Sequence, residues 1–277
     1  EWVAKNDLNH KEWDQAWELE TEHYKVKTNA GYRVLMTTAR AMEQVQVFYR
    51  IFHQFRTNNE KIPMANVWIF KNRDEYKTIG GQPVDWAAGH WDGSSVVTYD
   101  PRGEGSDAGL TDLLNTLFHE ASHQFTTLAG GGGVPAWLNE GMASFFEGTR
   151  LLSNGKLDWN LVASGRLYPL VDDIQAGTHK LGDVIQGNVE DYRVYYPWGW
   201  GICYYLYNAE DAEGKLLYRA SMRDYFQKYS SDQHLERFLE FFVTTPKVAG
   251  VTTIEEFETR FKAWILDLAD ADRGRID

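Results

Sequence analysis

The chain has 277 residues, 43% of them hydrophobic and 25% charged, enough apolar content for one large domain or two lobes and too much for a disordered, collagen-like or coiled-coil protein. Lys and Arg number 28 against 40 Asp and Glu, a formal net charge of −12, and that field repels phosphate backbones and anionic headgroups, which speaks against nucleic acid as a partner. The single cysteine, Cys203, excludes an intramolecular disulfide and any cysteine-cluster metal site, and no stretch approaches the roughly 18 consecutive apolar residues of a membrane span.

The numbering opens Glu1-Trp2-Val3 without Met, which sets the expectation of an exported chain, periplasmic or secreted, that has lost an N-terminal segment. Glu20 to Thr28 alternates with the strand period, and Tyr32 to Phe55 carries apolar residues at helical spacing. Asn66 to Lys71 reads as a second strand, Arg73 to Ile79 as a short helix, and Ser94 to Asp100 as a third strand after the Asp92-Gly93 turn. A helical pattern runs from Leu110 to Leu128 until Gly130 to Gly133 stops it, and Pro135 suits the first turn of a helix reaching Glu147. The glycine run reads as a helix stop and connection. Further helical patterns lie at 195–209, 213–229, 231–243 and 252–269. The expectation is an α+β fold in two lobes around a cleft: residues 1–130, α+β with a small mixed sheet, and residues 131–277, mainly helical.

The informative segment begins His119-Glu120-Ala121-Ser122-His123, an HExxH pattern. Histidines four apart lie on one helix face about one turn apart, so both imidazoles can reach one tetrahedral Zn²⁺. Glu120 lies beside them, where a carboxylate can take a proton from water on the metal and pass it to a leaving amine. Projection at 100° per residue puts Leu110, Leu114, Leu117, Ala121, Phe125 and Leu128 on one face and both histidines close to the opposite one. On the next helix Leu138, Met142, Phe145 and Phe146 cluster, while Trp137, Glu140, Ser144 and Glu147 share the other side. A helical hairpin can therefore bring Glu140 to the two histidines as third ligand of a site with one position left for water. Metal-bound histidines usually donate their second N–H to a carboxylate or carbonyl, and Glu147 and Asp112 are candidates for that support. His90, before the third strand, is a candidate cleft residue. The aromatics between Tyr192 and Tyr207 read mainly as helical core, with a platform for sugar rings as the lesser reading.

HEASH, followed after sixteen residues by the Glu of WLNEGMASFFE, resembles the gluzincin zinc metallopeptidases, and Trp137 to Glu147 is similar to the corresponding helix of aminopeptidase N-like enzymes. An exopeptidase segment of their GAMEN type has no counterpart upstream of His119. More diffusely, the ETEHY strand, the long helix, the strand pair and Tyr196-Pro197-Trp198-Gly199-Trp200 resemble the bacterial peptidase-MA-like families. The resemblance implies a zincin-like fold and one Zn²⁺ per chain. It also implies Tyr196, or less well Tyr195, as donor to the developing oxyanion, and an edge strand, Ser95, Val96, Val97 and Thr98, that pairs with extended substrate backbone. The expected activity is hydrolysis of peptide bonds in a peptide or protein substrate, glycosylated ones included, by an endopeptidase. A non-catalytic binding module on the same scaffold and a specialised exo- or glycopeptidase are the alternatives.

Overall fold

The computed structural model describes residues 2–54, 62–81, 84–104, 109–130, 133–228 and 234–274, and its architecture is α+β. In chain order the elements are α1 (Trp2–Asp7), β1 (Trp17–Glu20), β2 (Tyr24–Thr28), α2 (Tyr32–Phe52), β3 (Ala65–Phe70), α3 (Arg73–Thr78), β4 (Gly89–Trp91), β5 (Ser95–Tyr99), α4 (Leu110–Gly130) and α5 (Ala136–Glu147). There follow β6 (Arg150–Leu151), β7 (Leu157–Asp158), α6 (Ser164–Ala176), α7 (Leu181–Gln186), α8 (Tyr195–Asn208), α9 (Arg219–Lys228), α10 (His234–Phe238), a π-helical stretch (Leu239–Thr244) and α11 (Ile254–Arg273). Contacts group the chain into two units, Glu1–Phe125 with Thr149–Trp159, and Thr126–Gly148 with Asn160–Asp277. Phe55 at the expected end of α2, Gly131 and Gly132 of the glycine run, and residues 229 and 231–233 of the expected C-terminal helices lie outside the described residues.

The first unit is built on a five-stranded sheet of order β1-β2-β3-β5-β4. β2, β3 and β5 run parallel, and β1 and β4 close the two edges antiparallel. Parallel neighbours need a crossover, and α2 and α3 supply it. The segment 20–28 is not one strand: the chain turns at 21–23, so that Glu20 pairs with Lys25 and Trp17 with Thr28. His23 holds this turn to α2, its backbone N–H and Nδ1 meeting the Glu43 carboxylate at 2.9 and 2.7 Å. Along α2 the buried residues Val34, Leu35, Thr38, Met42, Val45 and Tyr49 recur at helical spacing. Tyr49 reaches α4, its hydroxyl donating to the Phe118 carbonyl at 2.7 Å, a buried bond worth about 0.5–1.5 kcal/mol. That bond fixes α4 one residue before His119.

The second unit is helical. Two of its helices escaped the sequence pattern: α6 carries Pro169 in its interior, which reads as a break, and α7 has only 6 residues. The helix expected from 213 begins at Arg219, after a turn in which Asp211 accepts the backbone N–H groups of Glu213 and Lys215. Pro135 lies at the N-cap of α5 rather than inside it, and its carbonyl accepts from Leu138 and Asn139 at 2.9 Å. Nor does α5 have a solvent face at Trp137 and Ser144, both fully buried; Trp137 packs on Tyr225 and Phe238 with centroids 5.8 and 5.7 Å away. A helix packed on all sides loses the two-faced pattern that projection assumes. The rings of α8 beyond Tyr196 are core: Trp198, Trp200 and Tyr205 are buried, and Tyr205 packs on Phe261 at 5.6 Å. No described helix is long and apolar enough to cross a membrane.

α5 and α8 cross at two glycines. A Cβ on Gly141 would lie 2.5 Å from the Gly199 carbonyl oxygen and 2.9 Å from Cys203 Sγ, and one on Gly199 would lie 2.8 Å from Gly141 Cα. The obstruction is backbone, which cannot rotate away. Gly141→Ala and Gly199→Ala are each expected to lower stability by roughly 1–3 kcal/mol or more, seen as a lower urea midpoint, whereas Gly182→Ala, with open space around its Cβ, leaves the midpoint close to wild type.

Candidate metal centre

The site starts from helix periodicity. On α4 the four-residue spacing sets the His119 and His123 rings 5.0 Å apart, centroid to centroid, and Glu120 Oε2 lies 4.0 Å from His123 Nε2. Neither His119 nor Glu120 is exposed beyond 6%. Glu140, on α5, is 4% exposed. One ligand atom from each of His119, His123 and Glu140 lies within 4.8 Å of the other two, so the group can hold a metal ion. Two imidazole nitrogens and a carboxylate oxygen form a borderline-soft donor set that suits Zn²⁺. A carboxylate buried beside two imidazoles also calls for a compensating positive charge, which a cation supplies. The residues present fit the ion the motif implies.

Glu140 has a partner that sequence reasoning missed. The hydroxyl of Tyr192 donates to Glu140 Oε1 at 2.7 Å. Partial burial, and then the Glu140 charge, push the Tyr192 phenol above its ordinary range. Tyr192 begins a short 3₁₀ turn, Tyr192–Val194, whose N-cap Asp191 accepts the Arg193 backbone N–H at 2.9 Å. The available sign in the sequence is that Asp191, since Asp at the start of a turn fixes the residues that follow it.

Above Glu120 stands the sheet edge. Sequence reasoning gives that edge to Ser95, Val96, Val97 and Thr98, but β5 pairs on both sides, parallel with β3 and antiparallel with β4, and all four residues are buried. The edge is β4, which pairs with β5 alone among the described strands. Three residues without alternation, Gly89-His90-Trp91, give no strand signal in the sequence. Within β4 it is Gly89 that faces α4: a Cβ there would lie 2.8 Å from Thr116 Cγ2 and 3.0 Å from Glu120 Cγ. His90, one residue on, points to the other face, where its Nδ1 meets the Tyr76 hydroxyl at 3.0 Å beside Val97. Burial, partly offset by Asp92, lowers its pKa. On β4 it is therefore Gly89, and not His90, that lies against Glu120.

The other candidates fall as follows. Glu147 grips Arg166 in a forked ion pair at 2.8–3.1 Å, and the same guanidinium lies 5.0 Å over the ring of Tyr196. Asp112 is exposed in the first turn of α4, where a carboxylate complements the helix dipole. Tyr195 is buried and Tyr196 half-buried at the start of α8, and Tyr192 packs edge-on to both at 5.3 and 6.3 Å. No family model matches the chain, and no curated protein matches its sequence.

The Gly89 contact yields a double-mutant test. Gly89→Ala is expected to lower stability by roughly 1–3 kcal/mol, and by clearly less in a Thr116→Ser background, which removes the methyl group the new Cβ meets first. Urea unfolding of the four proteins measures the coupling; strict additivity would place β4 further from α4 than described.

Proposed function

We propose that the chain is a zinc-dependent endopeptidase. The observation that carries this reading is the convergence of His119, His123 and Glu140 within 4.8 Å, with Glu120 beside them on the same helix. A bound Zn²⁺ supplies Lewis acidity toward a carbonyl oxygen and lowers the pKa of water at neutral pH. The residues of the chain do the rest. Glu120 accepts the proton of the attacking water as the C–O bond forms and delivers it to the departing amide nitrogen as the C–N bond breaks. Its near-complete burial keeps that proton from exchanging with bulk water. Tyr196 is assigned as donor to the developing oxyanion, on the resemblance to gluzincins. Extended substrate pairs with the free backbone edge of β4, in place of the 95–98 segment. Gly89 suits this role, because the absent side chain leaves the strand against Thr116 and Glu120. A strand edge accepts the middle of a chain as readily as its end, which favours an endopeptidase.

Elemental mass spectrometry on protein without a His tag and without added zinc is the direct test. About one zinc per chain is expected in wild type and a sharp reduction in Glu140→Ala. Glu120→Gln is expected to keep the zinc and lose cleavage of a broad peptide library by at least about a hundredfold. No metal in wild type, even after adding zinc, overturns the reading. Full metal with no hydrolysis of any peptide favours a binding module.

A further inference from the structure

Glu140 can meet a metal through one carboxylate oxygen or through both, and the choice matters: a second oxygen on the ion would take the position that water or substrate must use. The backbone of α5 is held beside Gly141 by the crossing with α8, so Glu140 has its carboxylate torsions and little else to adjust. One of its oxygens, Oε1, accepts the Tyr192 hydroxyl at 2.7 Å. That phenol is aimed rather than loosely hung. Its 3₁₀ turn is capped by Asp191, whose carboxylate also grips the Arg193 guanidinium at 2.7–3.1 Å, and the ring stands edge-on to Tyr195 and Tyr196. The turn runs directly into α8, the helix that fixes α5.

We infer that Tyr192 is a positioning residue for Glu140, engaging Oε1 so that the carboxylate meets a divalent cation through Oε2 alone and one coordination position stays open. The inference rests on the metal reading of His119, His123 and Glu140, and adds a residue to it that no motif contains. Outer hydrogen bonds of this kind fix ligand orientation and basicity, and their loss typically costs about ten- to a hundredfold in metal affinity.

The test uses the full chain, wild type and Tyr192→Phe, which removes the hydroxyl and keeps the ring packing. Zinc affinity is read by competition with a chromophoric chelator, and the coordination by the visible absorption of the cobalt(II)-loaded proteins, whose intensity falls as coordination number rises. The expected result is zinc binding weakened about ten- to a hundredfold in Tyr192→Phe, a weaker cobalt spectrum, and metal-free proteins that melt together. A role in packing alone would move the melting point and leave the cobalt spectrum unchanged, and would overturn the inference. Equal affinity and equal spectra in a wild type that does bind one metal overturn it while leaving the metal centre standing. A wild type that binds neither zinc nor cobalt overturns both.

Discussion

The contact between α5 and α8 at Gly141 and Gly199 is the constraint on which the second unit depends. Two helix backbones meet there with no side chain between them, so neither helix can rotate or slide without a clash. Glu140 is the residue before Gly141, and Tyr192 lies three residues before the first residue of α8. One glycine crossing thus fixes both the carboxylate and the phenol that donates to it, and 2.7 Å between them is a result of backbone geometry as much as of their own attraction.

In the first unit a glycine has the same use. Gly89 lets a sheet edge settle on α4 against Thr116 and Glu120, and Tyr49 holds the same helix from the α2 side through the Phe118 carbonyl. The polar residues in the middle of α4 are enclosed, in contrast to the exposed Asp112 of its first turn. His119 and Glu120 are buried although they lie off the apolar stripe, because neighbouring structure covers that face too. Enclosure raises the electrostatic stakes, since charges in a low-dielectric setting act strongly on one another and on whatever enters.

Most of the architecture was legible where local periodicity is strong. α2, α4, α5, α8 and α11, and strands β3 and β5, follow from spacing alone, and the end of the segment 20–28 does so as β2. Legibility ended where tertiary context decides. A three-residue strand exists only because β5 offers it a partner, α6 tolerates Pro169 because its buried Leu167, Leu170 and Val171 hold it, and the turn at 21–23 is set by His23 on Glu43. Tyr192 was invisible for the same reason: no spacing rule links a residue in a 3₁₀ turn to a glutamate 52 positions earlier, and only the fold places them together.

The two ends of the sheet also bear on how the chain behaves in a crowded solution. Unpaired strand edges invite other strands, including those of a second copy, and both edges here are guarded by different means. β1 is short and carries Glu18 and Glu20, each matched across the ladder to Lys27 and Lys25 at 2.9 and 3.5 Å, so an approaching strand meets a row of fixed charges. β4 has no such charges and is open to company, but it is only three residues long. Three residues present only a few backbone groups to an approaching strand. The brevity that hid β4 from the sequence pattern also limits how much backbone this edge of the sheet offers to a second strand.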